Sequence, residues 1–385
     1  MQLKKYAMST RRDFISTGLK AATITGLAPV IPAVSITASS MFEAGRATAQ
    51  TKNHPISRQN FKPKQSFGLG GVAIGNAFRQ TTDQQAQESM QAAWDAGVRY
   101  FDTSPWYGLG LSERRFGHFL HNQKREDYIL STKIGRLLKA SKEVPQTMWV
   151  NPSPFQYEYD YTAEGARRSV EDSLQRLGIE SIDIVFIHDL SPDNGDMKDN
   201  WKDYFKIAEK GAMPELTRMR EEGLIKAWGL GVNTIEPILK TLEVADPDIF
   251  LSATRYSLID HEEVLNHLFP PCLERSVSIV AGAPLNSGFL AGIDRYNYST
   301  NIPPAFLEKR QKINQIALRH GVDVRTAALQ FCAAPEVVSA VIPGTRDPGQ
   351  AKENVASMKV KLPGAFWEEM KFEKLIAPDA PTPGG

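Results

Sequence analysis

The chain has 385 residues, 42% of them hydrophobic and 23% charged, enough for a large globular core. Lys and Arg number 45 against 44 Asp and Glu, which excludes a basic surface built for nucleic acid. Cys272 and Cys332 lie too far apart in sequence for a metal or redox motif; no metal site is expected, and a disulfide between them is left open.

The first fifty residues have a composition of their own. Arg11-Arg12-Asp13-Phe14 leads into a weakly apolar Ala/Thr/Ser-rich stretch that reaches Ala47 and Ala49 at the spacing of a signal-cleavage site. This order resembles a twin-arginine signal, which is read by the export machinery and is no anchor. Pro29 and Pro32 interrupt the stretch, so a stable membrane anchor is not expected. The expected organisation is a signal peptide over 1–49, a polar lead-in over 50–66, a catalytic domain over 67–375 and a flexible tail over 376–385. The mature chain would be periplasmic, or the whole chain cytoplasmic if the segment is not a signal.

From residue 67 onward, short apolar runs alternate with segments of helical period. Strands are predicted over 67–70, 98–102, 128–131, 182–188, 224–230, 249–251, 278–281 and 337–342. Helices are predicted over 83–96, 111–121, 162–177, 211–222, 235–244, 262–274, 304–320 with 324–334, and 348–358. In the first helix Ala86, Met90, Ala93, Trp94 and Gly97 share one face. Eight strand–helix units in about three hundred residues predict an α/β fold, a single-domain (β/α)8 TIM barrel; a doubly wound open sheet is the alternative. Segments 137–161 and 190–210 are expected as long loops at the C-terminal ends of strands, where lids sit.

Three consecutive strands close on a polar residue: Asp102, Lys133 and His188, with Tyr107 in the loop after the first of them. Each has a bland reading, as a helix cap, an exposed lysine, a core histidine or a packed tyrosine. In a barrel, adjacent strand ends converge, and a carboxylate, an amine, a phenol and an imidazole together form a proton relay. A phenol with a pKa of about 10 is a poor acid or base at neutral pH. A neighbouring Lys⁺ is expected to favour its phenolate, the carboxylate to hold the lysine, and the imidazole to orient a substrate oxygen.

These residues sit in "FDTSPWYG" and "GLGLSERRFGHFL", in "STKIG", and in "VEDSLQRLGIESIDIVFIHD", followed by "VIPGTRDPGQAKENVAS". Together these resemble, in the correct order, the motifs of the aldo-keto reductase superfamily. Within it the likeness is to the sugar- and pyridoxal-oxidising members, D-threo-aldose (L-fucose) 1-dehydrogenase and pyridoxal 4-dehydrogenase. That narrower likeness is carried by the Pro- and aromatic-rich loop 141–161 and by "GLGVN", "RYSLID" and "NSGFLAG". The resemblance implies an NAD(P)-dependent oxidoreductase acting on an aldehyde, an aldose lactol or a related carbonyl/alcohol pair. Tyr107 would be the general acid/base, supported by Lys133 and Asp102, with His188 orienting the substrate. Trp106 and Trp149, with Phe155, Tyr157 and Tyr159, would wall the substrate site. The alternative is an exported dinucleotide-binding barrel that acts as a sensing or interaction subunit with little turnover.

The resemblance also places the cofactor, NAD or NADP. Asn233 would hold the carboxamide; Leu285, Ser287 and Gly288 would lie at the pyrophosphate. Gly344, Thr345, Arg346, Gln350, Glu353 and Asn354 would form the adenosine segment. Gly282 stands where an aromatic residue often stacks on nicotinamide, and Arg346 is left as the main cation for a 2′-phosphate, a pattern that favours NAD. Gly68, Gly70 and Ala73 formally fit a Rossmann fingerprint, but they read better as the first barrel strand and its loop.

Overall fold

Seven consecutive buried residues, Ile182–His188, form a strand buried on both faces, as a parallel barrel strand must be. The computed structural model describes residues 61–384. Its strands are β1 (Leu69–Gly70), β2 (Tyr100–Asp102), β3 (Ile129–Ile134), β4 (Arg136–Ala140), β5 (Phe155–Tyr159), β6 (Ile182–His188), β7 (Ile225–Val232), β8 (Ile249–Ala253), β9 (Ser278–Gly282) and β10 (Val338–Ile342). Eight of them are parallel, in the order β1-β2-β3-β6-β7-β8-β9-β10. The circle closes where Gly68 and Gly70 donate to Val341 O and Pro343 O, at 2.9 and 3.0 Å. The fold is thus a single (β/α)8 barrel, and the doubly wound sheet is excluded.

The interior is filled by alternate strand residues, among them Tyr100, Ile184, Phe186, Ile249, Leu251, Val280 and Ile342. Burying one such large apolar side chain contributes roughly 1.5–3 kcal/mol. Helices α1 (Asp83–Asp95), α2 (Leu111–Leu120) and α3 (Ala163–Leu177) cover the strands from outside, as do α5 (Ala212–Glu221) and α6 (Glu236–Val244), which follow α4 (Trp201–Lys210). The ring continues with α7 (Phe269–Glu274), α8 (Pro304–Arg319), α9 (Val324–Ala333), α10 (Pro348–Ser357) and α11 (Gly364–Phe372). Local sequence sets the ends of several. Thr82 and Gln85 form a capping box on α1; Thr162 caps α3, which stops at Gly178 with φ 68°. The segment before α7 winds as a π-helix, Val264–Leu268, because Pro270 brings no N–H and its ring crowds the preceding turn.

Three expectations are corrected. The segment 137–161 is a β-hairpin, β4 antiparallel to β5, with Arg136 opposite Tyr159 and Ala140 opposite Phe155. Its period-two pattern "FQYEY" carries that signal. Much of 190–210 is helix α4, which buries Trp201, Phe205 and Ala208 on one face. The end of the chain, expected to be a flexible tail, is packed: Ile376, Ala377 and Ala380 are buried, and the Ala377 N–H donates to His261 Nε2 at 3.0 Å. Cys272 and Cys332 are both buried free thiols. The signal-peptide segment and residues 50–60 of the lead-in lie outside the described residues. No helix among the described residues is long and apolar enough to cross a membrane.

Candidate active site

Strand register brings the polar ends together. Asp102 pairs with Ser131 across β2–β3, Lys133 with Phe186 across β3–β6, and His188 with Gly231 across β6–β7. Lys133 Nζ donates to Asp102 Oδ2 at 2.8 Å, to Asp102 Oδ1 at 3.0 Å and to Thr103 O at 2.8 Å. All three ammonium donors are therefore engaged. Ser131 Oγ adds a 2.7 Å bond to Asp102 Oδ1, so the carboxylate accepts from two side chains. The Asp102 side chain makes this internal pair and does not serve as a helix cap.

Tyr107 hangs above this pair. Lys133 Nζ lies 4.5 Å from the centre of its ring, and the His188 ring is 5.7 Å away, edge-on. The loop turns tightly through Gly108, Leu109 and Gly110, all with positive φ. It packs so closely on Gly75 that a Cβ there would sit 2.8 Å from the Tyr107 carbonyl carbon. Gly71 is likewise required for packing, since a Cβ would meet Asp102 O at 2.6 Å. The Gly68–Ala73 run is thus the first strand and its turn.

Burial and neighbouring charges set the protonation of these groups. Burial pushes the Tyr107 phenol well above its usual range, and Asp102 pushes it further. The Arg136 guanidinium opposes the shift without cancelling it. Burial also lowers the lysine's own pKa. Tyr107 is therefore a neutral phenol at neutral pH. Burial, Arg136 and Lys133 in turn hold His188 well below the ordinary imidazole range, so it is neutral as well.

The hairpin roofs the site. Trp106 meets Trp149 at 5.6 Å and Tyr157 at 4.9 Å between ring centres, and Trp149 meets Tyr107 at 5.7 Å. Tyr157 and Tyr159 both donate to Asp196 Oδ2, at 2.7 and 2.9 Å, which ties the hairpin to the loop after β6. On the other side Ala77 pairs with Trp149, and Phe78 N–H donates to Met148 O at 2.8 Å. The Trp149 indole N–H is buried with no hydrogen-bond partner among the described residues.

The expected cofactor positions fall into three groups. Asn233 Nδ2 is held by Asp193 at 2.9 Å, which leaves the amide oxygen as the group to offer. Ser287 and Gly288 have φ of 61° and 95°, next to buried Asn286, whose Oδ1 has no partner among the described residues; Leu285 is partly buried beside them. Gly344 pairs with Gly70 at the barrel seam, and buried Thr345 donates to Gln350 Oε1 at 2.9 Å. Asn354 is buried with an unpartnered Oδ1. Glu353, beside Asn354, is exposed and bonded to Arg325. Arg346 donates to Arg79 O at 2.6 Å and Ala77 O at 2.7 Å, so its two Nη groups tie loops together. Two buried amide oxygens without partners and a left-handed, Gly-containing turn suit a dinucleotide that brings donors and a phosphate.

Sequence reading missed Arg136, Asp189 and Ser104. Arg136 is buried and paired with Asp189 at 2.9 Å. The charge directly after "KIG" and the "HD" pair were the available signals.

A family model described as the aldo/keto reductase family matches residues 66–372, and the chain belongs to that family. It is 34% identical to D-threo-aldose 1-dehydrogenase of Pseudomonas sp over 329 residues, covering 83% of this chain and 95% of that protein. It is 33% identical to pyridoxal 4-dehydrogenase of Microbacterium luteolum, covering 81% and 94%. The fold superposes on an aldo-keto reductase of Bacillus halodurans in its holo form with a TM-score of 0.62, at 22% identity, covering 80% and 91%. The protein is an NAD(P)-dependent oxidoreductase acting on CH–OH or aldehyde groups.

Proposed function

We propose that the chain interconverts a cyclic hydroxylated substrate, an aldose lactol in the first instance, with its carbonyl product, using Tyr107 as proton donor and acceptor. The observation that carries this reading is the sealed Lys133–Asp102 pair lying under the Tyr107 ring with His188 at its edge. The bound nicotinamide would supply the hydride chemistry that no side chain can. Asn233, Ser287, Gly288, Thr345 and Asn354 are the residues that would hold the dinucleotide.

The remaining roles belong to this chain's side chains. In reduction, the Tyr107 O–H donates its proton to the substrate oxygen; in oxidation, the phenolate takes it back, which needs a higher pH because the phenol is raised. His188, being neutral, orients that oxygen without competing for the proton. Trp106, Trp149 and Tyr157 would wall a substrate ring, and the buried, unpartnered Trp149 N–H would meet a substrate hydroxyl where the hairpin roof moves to admit one. Aromatic walls with a few polar atoms also suit a pyridine carbinol, so both substrate types belong in the test. Trp106 and Trp149 make indole fluorescence a direct probe: titration with NADH and NADPH is followed by a panel of aldoses, aldehydes and pyridoxal. Tyr107→Phe should bind dinucleotide normally and lose turnover by about 10²–10⁴-fold. Full turnover in that variant would remove the mechanism, and turnover of none of the panel would remove the substrate class.

We also propose export by the twin-arginine route, supported by Arg11-Arg12 and the Ala47/Ala49 spacing. Cell fractionation should find the processed chain in the periplasm, and Arg11→Lys with Arg12→Lys should leave it in the cytoplasm. Unchanged distribution of the double variant would end this reading.

A further inference from the structure

His188 is clasped on its Nδ1 side. Ser104 Oγ lies 3.0 Å and Arg136 Nη1 3.5 Å from Nδ1, while Asp189 Oδ1 lies 3.5 Å from Nε2. A guanidinium only donates, so the Nδ1 that faces it offers a lone pair. Ser104 Oγ already accepts the Trp106 N–H at 3.1 Å, which leaves its O–H to point at the same nitrogen. In a neutral imidazole the proton then sits on Nε2.

The guanidinium has little freedom. It is bonded to Asp189 Oδ2 at 2.9 Å and to Tyr159 O–H at 3.0 Å, with its carbon 4.6 Å from the Trp106 ring centre and 4.9 Å from that of Tyr159. Its Nε is buried with no partner among the described residues. A buried guanidinium with an unanswered donor opposes stability, which calls for a role.

We propose that Arg136, braced by Asp189 and helped by Ser104, is a positioning residue that fixes His188 as the Nε2–H tautomer, with the donor end turned to the substrate oxygen. This rests on the reading of His188 as the substrate-orienting group. The charged and titratable groups around the imidazole are Lys133 from β3 with Asp102 behind it, Arg136 from β4, Tyr159 from β5, Tyr107 from the loop after β2, and Asp189 beside it. Tyr161, just past β5, donates its O–H to the His188 carbonyl at 3.0 Å. Two of these are cations that disfavour a third positive charge, so loss of Arg136 raises the pH at which His188 charges.

The test uses the full chain and ring-nitrogen NMR, with the His188 signals assigned by their loss in His188→Asn. Wild type should show an unprotonated Nδ1, a protonated Nε2 and no titration between about pH 5 and 8. The double variant Arg136→Gln/Asp189→Asn removes both charges and so avoids leaving one buried alone. It should show mixed tautomers, together with a KM raised more than kcat is lowered. Arg136→Lys keeps the charge without the planar fork, so it should mix tautomers while still suppressing the titration. A wild-type His188 protonated on Nδ1, or a double variant with unchanged ring signals, would overturn the proposal. An unchanged kcat/KM in His188→Asn would instead overturn the reading beneath it.

Discussion

Lys133 Nζ sits 2.8 Å from Asp102 Oδ2 in a place closed to solvent, with Lys133 1% and Asp102 2% exposed. Removing one partner of such a pair strands the other charge, which costs about 3–5 kcal/mol. Lys133→Met is therefore expected to be strongly destabilised, whereas Lys133→Met with Asp102→Asn recovers most of the wild-type Tm. Activity should remain about 10²-fold or more below wild type in both variants. Thermal unfolding alongside steady-state turnover checks this; a double variant as unstable as the single one would show that the pair is not the cause.

His261 gives a pH dependence with a definite sign. Its Nδ1–H donates to Ser257 O, and its Nε2 accepts from the Ala377 N–H, both at 3.0 Å. Burial, aided by Lys309, pushes its pKa from the usual 6.5 down to about 4. Between those values the unfolded chain binds a proton that the native chain refuses, so stability is full above pH 6.5 and is lost as pH falls towards 4. The loss should reach roughly 3 kcal/mol. His261→Gln should flatten the dependence of Tm on pH in that window; an equal slope in the variant would assign the effect elsewhere.

Trp149→Phe keeps an aromatic wall and deletes only the unpartnered N–H. With aldose substrates KM should rise about 2- to 13-fold, the range of one neutral hydrogen bond, with kcat little changed. An unaltered KM would mean that the indole serves packing alone.

Arg346 ties the segment after β10 to the loop after β1 through the Ala77 and Arg79 carbonyls. Burial lowers its pKa to about 10, helped by Arg79, Arg295 and Arg115, so it stays charged at neutral pH. With both Nη groups engaged, Arg346→Lys should weaken NADH and NADPH binding by the same few-fold factor. A selective loss of NADPH affinity, measured by fluorescence titration, would show instead that Arg346 reads a 2′-phosphate.

Much of the architecture was legible because it is local. Ile182–His188 reads as a buried parallel strand from its own apolar run, and Thr82 with Gln85 announces the start of α1 within four residues. The same alternation leads from Asp102 to Lys133 to His188, so the membership of the site follows from counting strand ends. The hairpin was harder, because the prolines of 137–161 suggested a loop and outweighed the two-residue period of "FQYEY".

The order of residues along this chain determines a closed ring of eight strands, and which polar side chains stand at its mouth, since hydrophobic period and strand ends are properties of neighbours. Tertiary structure alone decides how those side chains spend their hydrogen bonds. It gives the Lys133 ammonium to Asp102 and Thr103 and not to the Tyr107 phenol, and sets Arg136 against Nδ1 of His188, fifty-two positions away. Those are contests between partners distant in sequence, settled by distance and burial once the barrel has closed.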